Sequence, residues 1–313
     1  MRFLPKNHLS RLYNLLDLTF IIPIYIDSED RVNNINSTLG YINANFTTNV
    51  IVYELSNGDF LDFGKYKNLN IRHIKEKFIG EFHRTKYLNI MLSMVETPVV
   101  SNYDIDVVLP ISSYIDSVNI IKSNRFDAVY PYGFGLFQKK VPLDFDRSLF
   151  DKSFDLNLID QFTVDGSAYG HCIFLNTDGY KKFGGENEEF ISYGPEDYER
   201  FNRFSKFGMV YRIEDFVYHF EHSRTEFSTM SNPHFAKNNE IFNNLKDMSG
   251  IELLHYYSNL GYLKKYGFEL KPSLNLDIPI EKKPILNVGN CICGFRIDRV
   301  KYNFCQKCNR NYQ

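Results

Sequence analysis

Two acidic sites and a histidine pair carry the chemistry available to this sequence. The first acidic site is Asp104-Ile-Asp106. The second is Glu196-Asp197, inside a run (183–200) that also holds glycines and the aromatic Tyr193, and the histidines are His219 and His222. Glycines let backbone approach a ligand closely and adopt φ > 0. An aromatic ring beside carboxylates suits a sugar, offering a flat apolar face for the ring and acceptors for its hydroxyls. Carboxylates with imidazoles suit a divalent cation, because Mg2+ and Mn2+ prefer oxygen and Mn2+ tolerates imidazole better. Together the three sites imply metal-dependent transfer of a sugar. The competing readings are structural: a solvated strand end for Asp104 and Asp106, helix capping for Glu196 and Asp197, and ordinary hydrogen-bonded histidines.

A fourth cluster lies in the tail. Cys291-Ile-Cys293 is followed after eleven residues by Cys305-Gln-Lys-Cys308. Two close thiol pairs across a hairpin form a tetrahedral site for structural Zn2+, the zinc-ribbon arrangement. The first pair is tighter than the usual C-x-x-C, and spare thiols, or two disulfides in an exported protein, are the alternatives. Arg296, Arg299, Lys301, Lys307 and Arg310 make the tail basic, suited to docking a protein, a nucleic acid or an acidic glycan. Cys172 stands alone and reads as core.

The elements that must position these groups follow from apolar patterning. Residues 18–25 form a short apolar run, read as the first buried strand. A helix over 30–45, strands over 49–54 and 71–74, a helix over 81–95 and a strand over 99–103 follow. This β-α-β-α-β order implies a parallel, doubly wound sheet with right-handed crossovers. Ligands in such sheets bind beyond the carboxyl ends of the strands, where Asp104 and Asp106 fall. Further on come a helix over 112–123, strands over 127–132 and 168–175, and helices over 177–183 and 195–207. Residues 209–220 read as one long strand or a pair, and 238–246 and 250–266 as helices. Residues 133–158 show no clear period and read as a loop. The division is an extension (1–17), a catalytic domain (18–270), a linker (271–288) and the cysteine tail (289–313).

At 313 residues with 43% hydrophobic content, the chain can bury one large α/β core or two small ones. A formal charge of −2 argues against a nucleic-acid-binding surface over the whole protein. No segment has the length and apolarity of a signal peptide or membrane span, so the expectation is a soluble cytoplasmic protein.

Four blocks in order resemble the family of β-1,4-galactosyltransferases, including its relatives among chondroitin-type polymerases. Phe82-His-Arg-Thr-Lys-Tyr-Leu-Asn89 is similar to the family's F-N-R-A-K-L-L-N, and Asp104-Ile-Asp106 to its D-x-D. Residues 185–197 resemble G-F-x-x-x-[FY]-x-G-[WY]-G-x-E-D. His219-Phe-Glu-His-Ser-Arg224 resembles M-x-x-H-S-R, with Asn232-Pro-His-Phe235 where the family has N-P-x-x-F. The resemblance spans roughly 18–245. It implies a GT-A fold, a UDP-sugar donor, inversion and usually Mn2+. Where the family's arginines hold the nucleotide after its first strand, this chain has Tyr25 and Asp27, with Arg31 further along. One of the family's acids is replaced by Tyr198, and its acceptor-stacking tryptophan by Tyr193, which implies a different acceptor.

On this resemblance and the chemistry above, Asp106, His222 and His219 are expected to hold Mn2+ (or Mg2+). Asp104 faces the ribose or donor sugar. Arg84 binds near the donor diphosphate, Glu54 accepts from the uracil or ribose, and Pro23 fits the turn beneath the uracil. Asp197 is the general base for inverting transfer, Glu196 bonds the acceptor or donor sugar, and Tyr193 is the acceptor platform. The expectation is an inverting transferase moving a hexose or N-acetylhexosamine from a UDP-sugar to a glycan or other hydroxyl. The rivals are a retaining transferase or nucleotidyltransferase on a similar sheet, and an inactive binding protein whose ribbon carries the function.

Overall fold

The computed structural model describes residues 12–225, 228–272, 288–290 and 296–298. The apolar run near the N-terminus becomes β1 (Tyr13–Ile26), buried continuously from 18 to 24. Burial on both faces is what a central strand between helical layers requires. β1 starts five residues before the expected catalytic domain, and Tyr13, Asn14 and Leu15 pair in parallel with Phe46, Thr47 and Thr48. A register shift between Leu15 and Thr19 separates this early pairing from the rest.

β1 is flanked by β2 (Phe46–Ser56) and β4 (Val99–Tyr103), both parallel to it, and β3 (Leu69–Lys77) lies outside β2. On the other side follow β9 (Cys172–Asn176), β6 (Ala128–Tyr130), β10 (Val210–Glu214) and the short pair β12 (Val288–Asn290) and β13 (Arg296–Asp298). The order is β13-β12-β10-β6-β9-β4-β1-β2-β3. The sheet is mostly parallel, as the β-α-β order implies, but β9 runs antiparallel to both β4 and β6. Helices α1 (Glu29–Asn45), α2 (Arg84–Leu92), α3 (Ile111–Lys122), α5 (Thr177–Lys182) and α6 (Glu196–Phe207) form at or near the expected positions.

Residues 133–158 are not a loop. They contain β7 (Gly135–Val141), α4 (Arg147–Ser153) and a 3-10 turn (Leu156–Leu158). β7 hides its period because Leu136 is exposed. α4 is too short for a helical period to emerge, yet Asp146 caps it by accepting from Ser148 N–H at 3.0 Å. β7 joins β5 (Val107–Val108), β8 (Val164–Ser167) and β11 (Val217–Phe220) in a second sheet of order β5-β11-β7-β8. Of the two readings for 209–220, one long strand or a pair, the structure has the pair, β10 and β11, in two different sheets and broken at Asp215 and Phe216. The helix expected over 250–266 is also two, α8 (Gly250–Ser258) and α9 (Gly261–Tyr266), after α7 (Phe235–Leu245). Leu260, between them, has an extended backbone.

β12 pairs in parallel with β10, so Val288, placed at the end of the linker, is in a strand of the main sheet. Cys291, Cys293, Cys305 and Cys308, expected to hold Zn2+, lie outside the described residues. Cys172 is buried in β9. Among the described residues no helix is long and apolar enough to cross a membrane.

Candidate active site

The Asp104-Ile-Asp106 segment leaves the carboxyl end of β4 and is fixed from three directions. Asp104 N–H donates to His171 O at 2.9 Å, and Phe220 N–H of β11 donates to Asp106 O at 2.8 Å. From α1, the buried Thr38 hydroxyl donates to Ile105 O at 2.7 Å. β11 presents His219 at its third residue, and His222 follows in the succeeding loop.

Asp106, His219 and His222 offer one carboxylate oxygen and two ring nitrogens, all within 4.8 Å of one another. Asp106 Oδ2 is 3.3 Å from His222 Nε2 and 3.8 Å from His219 Nε2. The remaining ring nitrogens are engaged elsewhere: His222 Nδ1 lies 2.8 Å from Ser223 O, and His219 Nδ1 2.9 Å from Glu221 Oε1. Both partners are acceptors, which places the proton on Nδ1 and leaves Nε2 free to ligate, the support that metal-bound imidazoles require. Burial alone would raise the Asp106 carboxyl, but His219 and His222 beside it hold it well below the usual range. The donor set fits a divalent cation such as Mn2+.

Arg84, at the start of α2, bridges the two acidic sites. Its Nη2 donates to Asp104 Oδ1 at 2.6 Å, and its Nη1 lies 3.7 Å from Asp197 Oδ1 with no hydrogen-bond partner among the described residues. Arg84 thus has one prong on Asp104 and the other, Nη1, buried beside Asp197 as a donor unpaired among the described residues. Burial pushes Asp104 up, against the pull of Arg84.

Glu196 and Asp197 open α6, whose N-cap position is held by Pro195 with no side-chain bond. Asp197 Oδ1 accepts from Arg200 Nη2. Arg200, only 2% exposed, also donates to Glu186 at 3.1 and 3.2 Å and to Tyr169 O at 3.2 Å. The sequence patterns mark neither Arg200 nor Glu186 as a site residue. The one available signal was the spacing of Arg200, one helical turn after Asp197. The glycine pair upstream turns the chain at positive φ, 93° for Gly184 and 61° for Gly185. That turn is held by Arg203, which donates to Phe183 O and Gly185 O.

Glu196 is buried, and its Oε2 has no partner among the described residues. Burial first, and then the Asp197 charge beside it, push its carboxyl up to about 8, against Arg84 and Arg200. At neutral pH it is a protonated acid able to donate. Between its ordinary value of 4.5 and about 8, the folded chain keeps a proton that the unfolded chain releases. The Glu196 contribution to stability therefore falls as pH rises through that window. Glu196→Gln removes this slope. Thermal melts should show the variant gaining on the parent between about pH 5 and about pH 8; a constant difference would place the Glu196 proton elsewhere.

Tyr193 is 40% exposed and stacks on Phe235, with ring centroids 6.0 Å apart at 18°. Its backbone oxygen accepts from Asn232 and Asn238 at 2.9 and 3.0 Å. The preceding Ser192 takes φ 59°, a left-handed conformation that costs a non-glycine residue roughly 1–2 kcal/mol. Strain of this kind collects at functional sites.

One cleft is lined by Pro23, Arg84, Asp104, Asp106, Tyr193, Glu196, Asp197, His219 and His222, so all but one of the expected non-cysteine site residues share it. Tyr25, Asp27, Arg31, Phe82 and Arg224 are also among its lining residues. Pro23 is not in a turn but inside β1. Pairing of β1 with β4 stops at Ile21, so the missing Pro23 N–H falls where the β4 side has opened. Glu54 is the exception. It is fully buried, accepting from Leu61 N–H at 3.1 and 3.2 Å and lying 2.7 Å from His73 Nε2. Its carboxylate closes the loop after β2 and does not reach the cleft.

The chain matches no protein-family model and no curated protein. Among solved structures it is similar to S. aureus TarS 1-349 in complex with UDP-GlcNAc, at 13% identity over 85% of this chain and 77% of that one, TM-score 0.49. It is also similar to the catalytic domain of Drosophila beta1,4galactosyltransferase 7 in complex with xylobiose. There the identity is 12% over 77% of this chain and 83% of that one, TM-score 0.40.

Proposed function

We propose that the chain is a metal-dependent, inverting glycosyltransferase of GT-A type that moves a hexose or N-acetylhexosamine from a UDP-sugar to a glycan or other hydroxyl acceptor. The observation that carries this reading is the convergence, in one cleft, of the Asp106–His219–His222 donor set with the Arg84-bridged pair Asp104 and Asp197. Asp106, His219 and His222 hold the cation, Mn2+ or Mg2+. When bound, it supplies Lewis-acid stabilisation of a diphosphate leaving group. Asp104, oriented by Arg84, faces the donor's ribose or sugar. Asp197 takes the proton of the acceptor hydroxyl through the oxygen that Arg200 leaves free. Tyr193 offers its exposed face to the acceptor ring, and protonated Glu196 donates to a sugar oxygen. The spacing of the tail cysteines supports a structural Zn2+ with a basic docking surface around it.

Calorimetry with UDP and Mn2+ tests the metal assignment. The parent should bind UDP more tightly with Mn2+ than without. Asp106→Ala and His222→Ala should each lose that gain, in keeping with the oxygen and nitrogen ligands such ions need. Undiminished metal-dependent affinity in both variants overturns the assignment.

A further inference from the structure

The proposed donor carries a diphosphate, and the sequence alone offers it one cationic side chain, Arg84. Three arginines line the cleft: Arg31, Arg84 and Arg224. Arg84 puts Nη2 on Asp104 and keeps only Nη1, beside Asp197, unpaired among the described residues. Arg224 is exposed, with no anchoring bond among the described residues. Arg31 differs from both. It rises from the first turn of α1, and its Nε donates to Asp27 Oδ1 at 3.0 Å, each side chain being 19% exposed. Both terminal nitrogens lack a hydrogen-bond partner among the described residues. Arg31 lines the same cleft as Asp106, His219 and His222.

A guanidinium tethered through Nε keeps its Nη pair as a rigid two-pronged donor, which matches the oxygens of a phosphate group. Asp27 supplies the tether, so the fork is oriented before any ligand arrives. Resting on the glycosyltransferase reading, we infer that Arg31, positioned by Asp27, binds the diphosphate of the nucleotide donor beside the Asp106–His219–His222 set. Arg31 is a binding residue and Asp27 a positioning residue. The cation and the guanidinium then share the phosphate charge, one from β11 and the β4 end, the other from α1.

The test measures binding of UDP, uridine and inorganic pyrophosphate, each with Mn2+, to the parent, Arg31→Ala, Arg31→Lys, Asp27→Asn and the double variant Asp27→Asn/Arg31→Ala. Arg31→Ala should weaken UDP and pyrophosphate by about 10- to 100-fold, the scale of charge-assisted hydrogen bonds, and leave uridine binding unchanged. The double variant should keep that loss, which excludes repulsion from a stranded Asp27 carboxylate. Arg31→Lys should recover part of the affinity, and Asp27→Asn should lose less than Arg31→Ala. Parent-like UDP and pyrophosphate affinity in Arg31→Ala overturns the inference, as does an equal loss for uridine. If the parent binds Mn2+ and pyrophosphate but not UDP, the nucleotide-donor reading fails. The Arg31 contact is then judged on pyrophosphate alone.

Discussion

Asp197→Asn should lower turnover by about 10²-fold or more, the scale of general-base catalysis, with little change in UDP affinity. The substitution keeps the size of the side chain and its acceptor oxygen for Arg200, and removes only the capacity to take a proton at neutral pH. Arg200 occupies Oδ1, and Arg84 approaches the same atom, so Oδ2 is the oxygen left for the acceptor. The backbone makes room on that side: a Cβ at Gly170 would lie 3.2 Å from Oδ2. Stopped assays of sugar transfer, run beside UDP calorimetry, separate the possibilities. Retained turnover with collapsed UDP binding would move Asp197 to the donor subsite and require another base.

The architecture was legible where burial is continuous. The run 18–25 is apolar on both faces because β1 is covered on both faces, and the same holds for β4. The second sheet was not legible. β5 has two residues, and three of the four residues of β8 are exposed, so neither generates a period. The antiparallel sense of β9 leaves no trace in its own sequence, because direction is decided by the connections and not by the side chains. In the site, Asp104, Asp106, Asp197, His219 and His222 could be singled out because their types are chemically unusual side by side. Glu54 was misplaced because an acid at a strand end can turn either to the cleft or to the following loop, and here Leu61 N–H and His73 draw it inward. Arg200 and Glu186 went unnoticed because an arginine in a charged helix reads as surface. Only the fold shows that this side of α6 faces the interior.

That interior pair supports the last expectation. Arg200 and Glu186 are 2% and 1% exposed, and Arg200 also carries Asp197. Tyr180 OH donates to Glu186, and Asn102 Nδ2 lies 3.4 Å from it, so Glu186 is hydrogen-bonded beyond its arginine. Arg200→Met removes the cation and strands Glu186. Breaking a buried pair in this way costs about 3–5 kcal/mol, a fall in melting temperature of roughly 6–10 °C for a chain of this size. The double variant Glu186→Gln/Arg200→Met replaces both charges and should recover most of that loss, because a buried pair exchanged for neutral groups is often close to neutral in stability. Turnover should stay depressed by about 10-fold or more in the double variant, since Asp197 has lost the bond that aims it and misplacement of a catalytic group is costly. Recovery of both stability and turnover would make Arg200 a purely structural residue. An unchanged melting temperature in Arg200→Met would mean that the buried pair contributes nothing to the fold.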